Sequence, residues 1–235
     1  MDFVEGEIIA IDKPLKWTSF DVVNKVRGAI CHYLGQRKLK VGHTGTLDPL
    51  ATGVVIICTG KKTKLISQLQ YDTKEYVATL QLGATTPSYD LEKEIDRTYS
   101  TAHITRERID QVIPQFVGEL WQTPPMFSAV QINGKRAYEL ARKGEQVELK
   151  PKLLVIDEIE VLAFDEATMQ LTIRVVCSKG TYIRALARDI GERLQSGAHL
   201  TTLRRTRVGN TRVEDCMTIE RFLDELNNYD YVQIK

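Results

Sequence analysis

The chain has 235 residues, a net charge of +1, 43% hydrophobic residues and 27% charged residues. These values are typical of an ordinary soluble globular protein and exclude a disordered chain, a membrane protein and a basic protein that coats DNA through its net charge. The N-terminal segment "MDFVEGEIIAIDKP" is acidic where a signal peptide is basic, so we expect a cytoplasmic protein.

The first half of the chain alternates strand and helix patterns. Apolar spacing and flanking Gly and Pro residues define each prediction. The predicted elements are a strand in "EGEIIAIDKP", a helix that follows Ser19 and stops at Gly35, a buried strand at Val54–Cys58, an alternating strand in "KEYVATLQLG" and a helix at Ile104–Phe116 that Pro114 weakens.

The second half begins with a basic segment bounded by prolines, at about residues 123–152, with a short helix signal at Ala137–Arg142. We interpret it as an insertion over the core of a single domain, 1–235. Two paired strands, "KLLVIDEIEVLAF" and "MQLTIRVVC", follow it. A helix in "TYIRALARDIGERL" and a strand in "HLTTLRRTRVG" complete the pattern. Helices interleaved with hairpin strands predict an α+β fold with a mixed, largely antiparallel central sheet.

Charge is unevenly distributed along the chain. Nine Lys or Arg residues and two acids lie between Arg174 and Arg212, whereas six acids and two bases follow Val213. A basic face that holds a polyanion explains this asymmetry, and so does a solvated helix face beside an acidic tail.

The loop "VGHTGTLDPLATG" places one acid, Asp48, among glycines and threonines, and no other charged side chain lies between Lys40 and Lys61. The glycine spacing that follows does not fit a phosphate-binding P-loop. Asp48 is compatible with a turn cap and with a nucleophile or base that a small-residue loop leaves accessible. His43 is compatible with a turn cap and with stacking beside a flipped base.

The motif "GHTGTLDPLATG" resembles the catalytic motif of the tRNA pseudouridine synthase B (TruB) family. Five further segments resemble family motifs in the same order: "DKPLKWTSFDVV", "KEYVATLQLGATTPSYD", "PPMFSAVQINGKRAYELARKG", "CSKGTYIRALARDIG" and "GAHLTTLRRTRVG". The resemblance covers most of the chain from Ile8 to Gly209. It implies a pseudouridine synthase fold and an isomerase that converts a uridine of tRNA to pseudouridine.

The resemblance also implies roles for individual residues. Asp48 matches the essential aspartate, Tyr76 the tyrosine that stacks on the target base, and Arg184 the arginine that pairs with the aspartate. The implied substrate-binding residues are His43, Tyr182, Leu203, Lys13 and Lys74. Contacts to the RNA backbone are expected from Lys135, Arg136, Arg142, Arg204 and Arg205.

The implied partner is the T-arm of tRNA, whose uridine at position 55 must be extruded from a folded loop. The resemblance implies no metal or other cofactor, and we expect a monomer with no protein partner and no membrane. Gln131 stands where the family usually has Lys, so we expect one phosphate contact fewer. The sequence ends at Lys235, so we expect no C-terminal RNA-binding (PUA) domain.

Two other functions compete with this one. An RNA chaperone would open and refold tRNA with secondary or no catalysis, although binding alone does not need an acid that faces phosphates. A carboxylate glycosidase usually needs a second acid as proton donor, and none is evident near Asp48 in the sequence.

Overall fold

The computed structural model describes residues 1–128, 130–132, 134–145 and 147–228. Its helices are α1 (Ser19–Tyr33), α2 (Ile66–Leu69), α3 (Arg106–Val112), α4 (Ala137–Arg142), α5 (Ile183–Arg193) and α6 (Ile219–Asn227). Its strands are β1 (Ile8–Lys13), β2 (Val41–His43), β3 (Ala51–Thr59), β4 (Lys74–Leu82), β5 (Ala84–Thr85), β6 (Arg97–Thr98), β7 (Gly118–Gln122), β8 (Gln131–Ile132), β9 (Lys135–Arg136), β10 (Lys152–Asp165), β11 (Gln170–Cys177), β12 (Ala198–Val208) and β13 (Thr211–Arg212).

The predicted α+β class is confirmed, because helices interleave with strands that pair largely antiparallel. The chain forms two compact units. The first contains residues 1–74 and the described part of 204–235, and the second contains residues 75–203. The insertion predicted at about 123–152 belongs to the second unit, and the assignment of all 235 residues to one domain stays a prediction.

The first unit contains strands in the order β1-β3-β12, with β2 against β3 and β13 against β12. Residues of β1 pair antiparallel with β3 along their whole length, from Ile8 opposite Cys58 to Lys13 opposite Gly53. Strand β3 is longer than the predicted Val54–Cys58 and almost entirely buried. A strand buried on both faces reads as a continuous apolar run, which explains its sequence.

Helix α1 begins one residue earlier than predicted. Thr18, not Ser19, is the N-cap, and its side chain forms a reciprocal capping box with Asp21. Val22, Val26 and Ile30 form its buried apolar face. Ser19 therefore does not cap the helix, and its side chain is buried within this unit.

The second unit contains strands in the order β12-β4-β11-β10-β7, where β12 contributes residues 198–203, and β7 lies at an edge. The predicted pairing of the two strands after the insertion is confirmed, since β10 runs antiparallel to β11. The predicted alternation of β4 is confirmed as well, because Tyr76, Ala78, Leu80 and Leu82 are all buried. The predicted helix at Ile104–Phe116 is α3 followed by a 3₁₀ turn that begins at Ile113, directly before Pro114.

Helix α5 buries Ile183, Leu186 and Ile190, as its spacing predicts, and it also buries Arg184. A buried guanidinium needs hydrogen-bonding partners, so we expect polar groups packed around this arginine. Among the described residues, no helix has the length and apolar character needed to cross a bilayer.

Candidate active site

The loop that carries Asp48 connects β2 to β3 in the first unit and is held by its main chain. The amide of Thr44 donates to the carbonyl of Ile56 at 3.1 Å. The hydroxyl of Ser19 accepts from the amide of Leu47 at 2.8 Å and lies 3.3 Å from the Leu47 carbonyl. These bonds tie the loop to β3 and to the first turn of α1.

The far side of the loop is fixed in the same way. The carbonyl of Asp48 accepts from the amide of Ala51 at 3.0 Å, and the carbonyl of Pro49 accepts from the amide of Lys16 at 2.8 Å. Lys16 has a φ of 67°, a left-handed conformation that is uncommon for a residue with a side chain. The half-buried Asp48 side chain therefore stands on a backbone with little freedom.

Arg205 on β12 supplies a third support. Its guanidinium donates to the carbonyl of Val54 at 2.7 Å, to that of Gly45 at 3.2 Å and to that of Thr46 at 3.5 Å. Arg205 is only 3% exposed. A buried guanidinium engaged with three carbonyls argues against the predicted contact with the RNA backbone, which stays a prediction.

Lys13 lies in the same unit and is fully buried. Its ammonium donates to the carbonyls of Pro14 at 3.0 Å and Trp17 at 2.6 Å. Burial lowers the pKa of Lys13 to about 8, although the negative charge of Asp48 opposes this shift. These bonds hold the Lys13 ammonium against the segment that leads into α1, and its predicted contact with substrate stays a prediction.

His43 ends β2 and precedes the loop. Burial lowers the pKa of His43, the positive charge of Arg205 lowers it further, and a hydrogen bond with the Gly45 backbone opposes both effects. The imidazole therefore favours its neutral form. The place beside the flipped nucleotide that the resemblance implies for His43 stays a prediction.

Lys74 closes the turn before β4. Its ammonium donates to the carbonyl of Gln70 at 2.6 Å and to that of Asp72, and the residue is 6% exposed. These bonds order the turn, and a contact between Lys74 and substrate stays a prediction.

In the second unit, α5 begins with two of the predicted residues. Tyr182 is its N-cap, and Arg184 follows in the first turn. The Arg184 guanidinium donates to the carbonyl of Phe127 at 2.9 Å and to that of Ser88 at 3.2 Å, and its Nε lies 3.8 Å from a carboxylate oxygen of Asp90. Arg184 is thus oriented by contacts that the sequence did not reveal.

The other two predicted pocket residues of this unit lie on strands. Tyr76 is 8% exposed on β4, and Leu203 is half-buried on β12. The pairing of Arg184 with Asp48, expected from the resemblance, stays a prediction.

The insertion presents basic side chains. Lys135, Arg136 and Arg142 are exposed, and the two guanidinium carbons lie 6.0 and 5.4 Å from the ring centroid of Tyr138. These distances fit cation–π contacts. Two guanidinium groups beside one aromatic ring, together with the exposed Lys135, form a surface suited to a phosphate backbone.

Arg204 is differently placed from its neighbour Arg205. It pairs in bidentate fashion with Asp12 at 2.7 and 3.1 Å and donates to the hydroxyl of Thr52 at 3.1 Å. Its side chain is 42% exposed, so part of the guanidinium still faces solvent. A contact with RNA from Arg204 stays a prediction.

Comparison with known proteins identifies the family of this chain. A model described as the N-terminal domain of TruB family pseudouridylate synthases matches residues 32–183. The chain belongs to the TruB family. A second model, described as the C-terminal domain of tRNA pseudouridylate synthase B, matches residues 184–233 of this TruB chain.

Curated relatives agree with the family. The TruB chain is 64% identical to a tRNA pseudouridine synthase B of Phocaeicola vulgatus, over 100% of this chain and 99% of that protein. It is 50% identical to the protein of the same name from Flavobacterium johnsoniae, over 96% of this chain and 98% of the relative.

Solved structures show the same fold in a longer protein. A Cbf5-Nop10-Gar1 complex contains a chain similar to this one, with a TM-score of 0.68 and 30% identity over 94% of this chain. An archaeal box H/ACA Nop10-Cbf5 complex gives a TM-score of 0.67 and 27% identity. The TruB chain covers 54% and 55% of those two chains.

Sequence reasoning missed two residues that contact the predicted site residues of the TruB chain. Asp90 lies in the quoted segment "TTPSYD" and carries a charge, but its spacing resembles an ordinary turn. Gln122 precedes the two prolines that open the insertion and resembles any polar strand residue. Only the contacts of their side chains, with Arg184 and Tyr182 respectively, distinguish them.

Proposed function

We propose that this chain is a tRNA pseudouridine synthase that isomerises the uridine at position 55 of the T-loop, with Asp48 as the catalytic carboxylate. The observation that carries the proposal is its likeness over the whole chain to curated proteins named tRNA pseudouridine synthase B. The loop geometry supports the choice of Asp48. All six loop residues from Thr44 to Pro49 form hydrogen bonds through their main chain, while the Asp48 side chain keeps partial exposure.

The proposed reaction keeps every atom of the nucleoside. The bond between ribose C1′ and uracil N1 breaks, the base turns over, and a bond forms between C1′ and C5. The proton on C5 leaves and N1 gains one, so the mass does not change. Asp48 begins the reaction by attack on C1′, by attack on C6 or by removal of a ribose proton, and the three routes share the need for an ionised, accessible carboxylate.

In this proposal Arg184 keeps Asp48 ionised and oriented. A guanidinium is the side chain best suited to this task, since it stays charged and offers several donors in one plane. Tyr76 stacks on the extruded base and assists proton movement at C5, while Tyr182 and Leu203 line the uracil pocket. His43 fills space beside the flipped nucleotide in a neutral state.

Extrusion of the target base from the folded T-loop costs a few kcal/mol, and contacts between the protein and the RNA must offset this cost. We assign those contacts to the exposed insertion residues Lys135, Arg136 and Arg142, with Arg204 at a second position. Lys13 and Lys74 support the turns beside the substrate. A monomer in the cytoplasm, where tRNA is found, completes the proposal.

The test uses the purified chain and a T-arm stem-loop with tritium at C5 of its uridines. Pseudouridine formation releases one tritium per conversion, and primer extension after carbodiimide treatment identifies the position. The Asp48→Asn variant should release no tritium and should bind the RNA with unchanged affinity. Accelerated refolding of tRNA without tritium release would instead identify an RNA chaperone, and turnover by the Asp48→Asn variant would remove Asp48 from its role.

A further inference from the structure

The side-chain amide of Gln122 forms two hydrogen bonds with the backbone of Tyr182. The Tyr182 amide donates to Oε1 of Gln122 at 2.9 Å, and Nε2 of Gln122 donates to the Tyr182 carbonyl at 3.2 Å. Gln122 is 1% exposed. Both the acceptor and the donor of one buried amide thus face one residue, as two strand residues do in a sheet.

The local sequence explains why a side chain makes this link. Gln122 is the last residue of the edge strand β7, and the prolines that follow have no N–H group to continue a ladder. Tyr182 is the N-cap of α5, and its own side chain makes no capping bond. The Gln122 amide therefore adds two hydrogen bonds at the entry of the helix, where the Tyr182 carbonyl also accepts from the amide of Leu186 at 3.0 Å.

The segment after Gln122 forms two more links to α5. The carbonyl of Thr123 accepts from the guanidinium of Arg188 at 3.1 Å, and the carbonyl of Phe127 accepts from that of Arg184 at 2.9 Å. The first turns of α5 are thus anchored to the base of the insertion. Of these three links, the bonds of Gln122 alone fix helix backbone, because the other two end on flexible side chains.

We propose that Gln122 is a positioning residue for the reaction. It fixes the backbone of Tyr182 and thereby orients the Tyr182 ring and Arg184, which lies two residues further along the chain. This inference rests on the proposed function, which places both residues in the active site. Gln122 itself touches no reacting atom in this proposal. Misplacement of an active-site group by about 1 Å costs on the order of 100-fold in rate, so a loosened helix entry should slow the chemical step.

The first test is Gln122→Leu, which removes both hydrogen bonds at similar volume. The kcat for the T-arm stem-loop should fall by about 10- to 100-fold, while KM stays within about threefold. The Tyr182 amide should exchange with deuterium faster than in the wild type. The matched control is Gln81→Leu, since Gln81 also donates through Nε2 to carbonyls of its unit, those of Leu82 and Thr168.

The second test, Gln122→Glu, separates hydrogen bonding from space filling. A protonated carboxyl donates and accepts as the amide does, whereas a carboxylate repels the Tyr182 carbonyl. The rate relative to the wild type at the same pH should therefore be highest at about pH 5.5 and fall towards about pH 8.5. Lys152 on β10 and Arg184, Arg188 and Asp189 on α5 carry charge near this position, and the ratio to the wild type removes their own titration.

The outcomes separate the two proposals. A folded Gln122→Leu variant with wild-type kcat, or a Gln122→Glu variant whose relative rate does not change with pH, overturns the positioning role. An inactive wild type overturns the proposed function instead. In that case the exchange rate of the Tyr182 amide still decides whether Gln122 holds this backbone.

Discussion

The backbone of Gly53 passes so close to that of Arg205 that a Cβ atom on Gly53 would lie 2.1 Å from the Arg205 carbonyl oxygen. Gly53 also has a φ of 109°, which favours glycine. Strands β3 and β12 of the first unit meet at this position, two residues after β3 begins. The side chain of the same Arg205 bonds to the loop before β3. The close approach of the two strands therefore also fixes the position of the Asp48 loop.

Gly53→Ala should destabilise the protein by at least about 1–3 kcal/mol from backbone strain alone, with the steric clash in addition. Gly28 on α1 is the control, because an added Cβ there meets no atom within 4 Å. Gly28→Ala should stabilise the protein by about 0.5–1 kcal/mol. Urea unfolding measures both changes, and equal stability of the two variants would contradict the close approach.

Arg205→Gln should lower both stability and kcat. Each carbonyl left without a donor costs about 1–3 kcal/mol, and the loop loses two such bonds. The affinity for the T-arm should change little, since Arg205 is buried. The pKa of His43 should rise, because the positive charge of Arg205 lowers it in the wild type.

Arg205→Lys is the conservative variant. It keeps the charge, so the pKa of His43 should stay low while kcat still falls. NMR titration of the His43 ring, beside urea unfolding and single-turnover rates, checks each part. A variant that lost RNA affinity at unchanged kcat would instead make Arg205 a phosphate contact.

Lys13 should make the free energy of unfolding depend on pH in the alkaline range. Its pKa is lowered from 10.5 to about 8 on folding, so the unfolded chain binds one more proton between these values. Stability contributed by this site therefore rises as pH increases from 8 to 10.5. The unfolding free energy of the wild type minus that of Lys13→Met should become more positive over this interval. A constant difference would show that Lys13 has no lowered pKa.

Arg184→Lys should lose much more rate than affinity. A lysine cannot reach the carbonyls of Ser88 and Phe127 and the Asp90 carboxylate in the planar arrangement that a guanidinium allows. The loss in kcat should be on the order of 100-fold, with RNA affinity within about threefold. Single-turnover kinetics at saturating enzyme separates the two effects, and weaker binding at an unchanged rate would mark a phosphate contact.

RNA binding should depend steeply on salt in spite of the small net charge. Each phosphate contact contributes about −0.7 to −0.9 to the slope of log K against log salt. Lys135→Ala, Arg136→Ala and Arg142→Ala should each flatten the slope by about one contact. Arg221→Ala on α6 is a control, since Arg221 already pairs with Glu225.

The same titration compares two RNAs. We expect the isolated T-arm to bind almost as well as whole tRNA, with the contacts concentrated on the insertion. A flat slope would contradict the electrostatic argument, and a strong preference for whole tRNA would show that another surface of this chain takes part.

The sequence by itself determined the pattern of elements and the family motifs. Alternation in β4 and helical spacing in α1 and α5 are local properties of the chain, so they could be predicted without contacts. The unusual small-residue loop made Asp48 a candidate on its own. Motif order then supplied the remaining residues through the resemblance.

The tertiary structure decided which polar side chains are partners. Arg204 and Arg205 are neighbours with identical side chains, yet one pairs with Asp12 at a partly exposed position and the other is buried beneath the loop. Alternation along β12 predicts opposite faces but not which face is buried or which carbonyls lie there. Gln122 and Tyr182 are 60 residues apart, and only the folded chain brings the amide to that backbone. Such contacts depend on long-range packing, which local patterns do not encode.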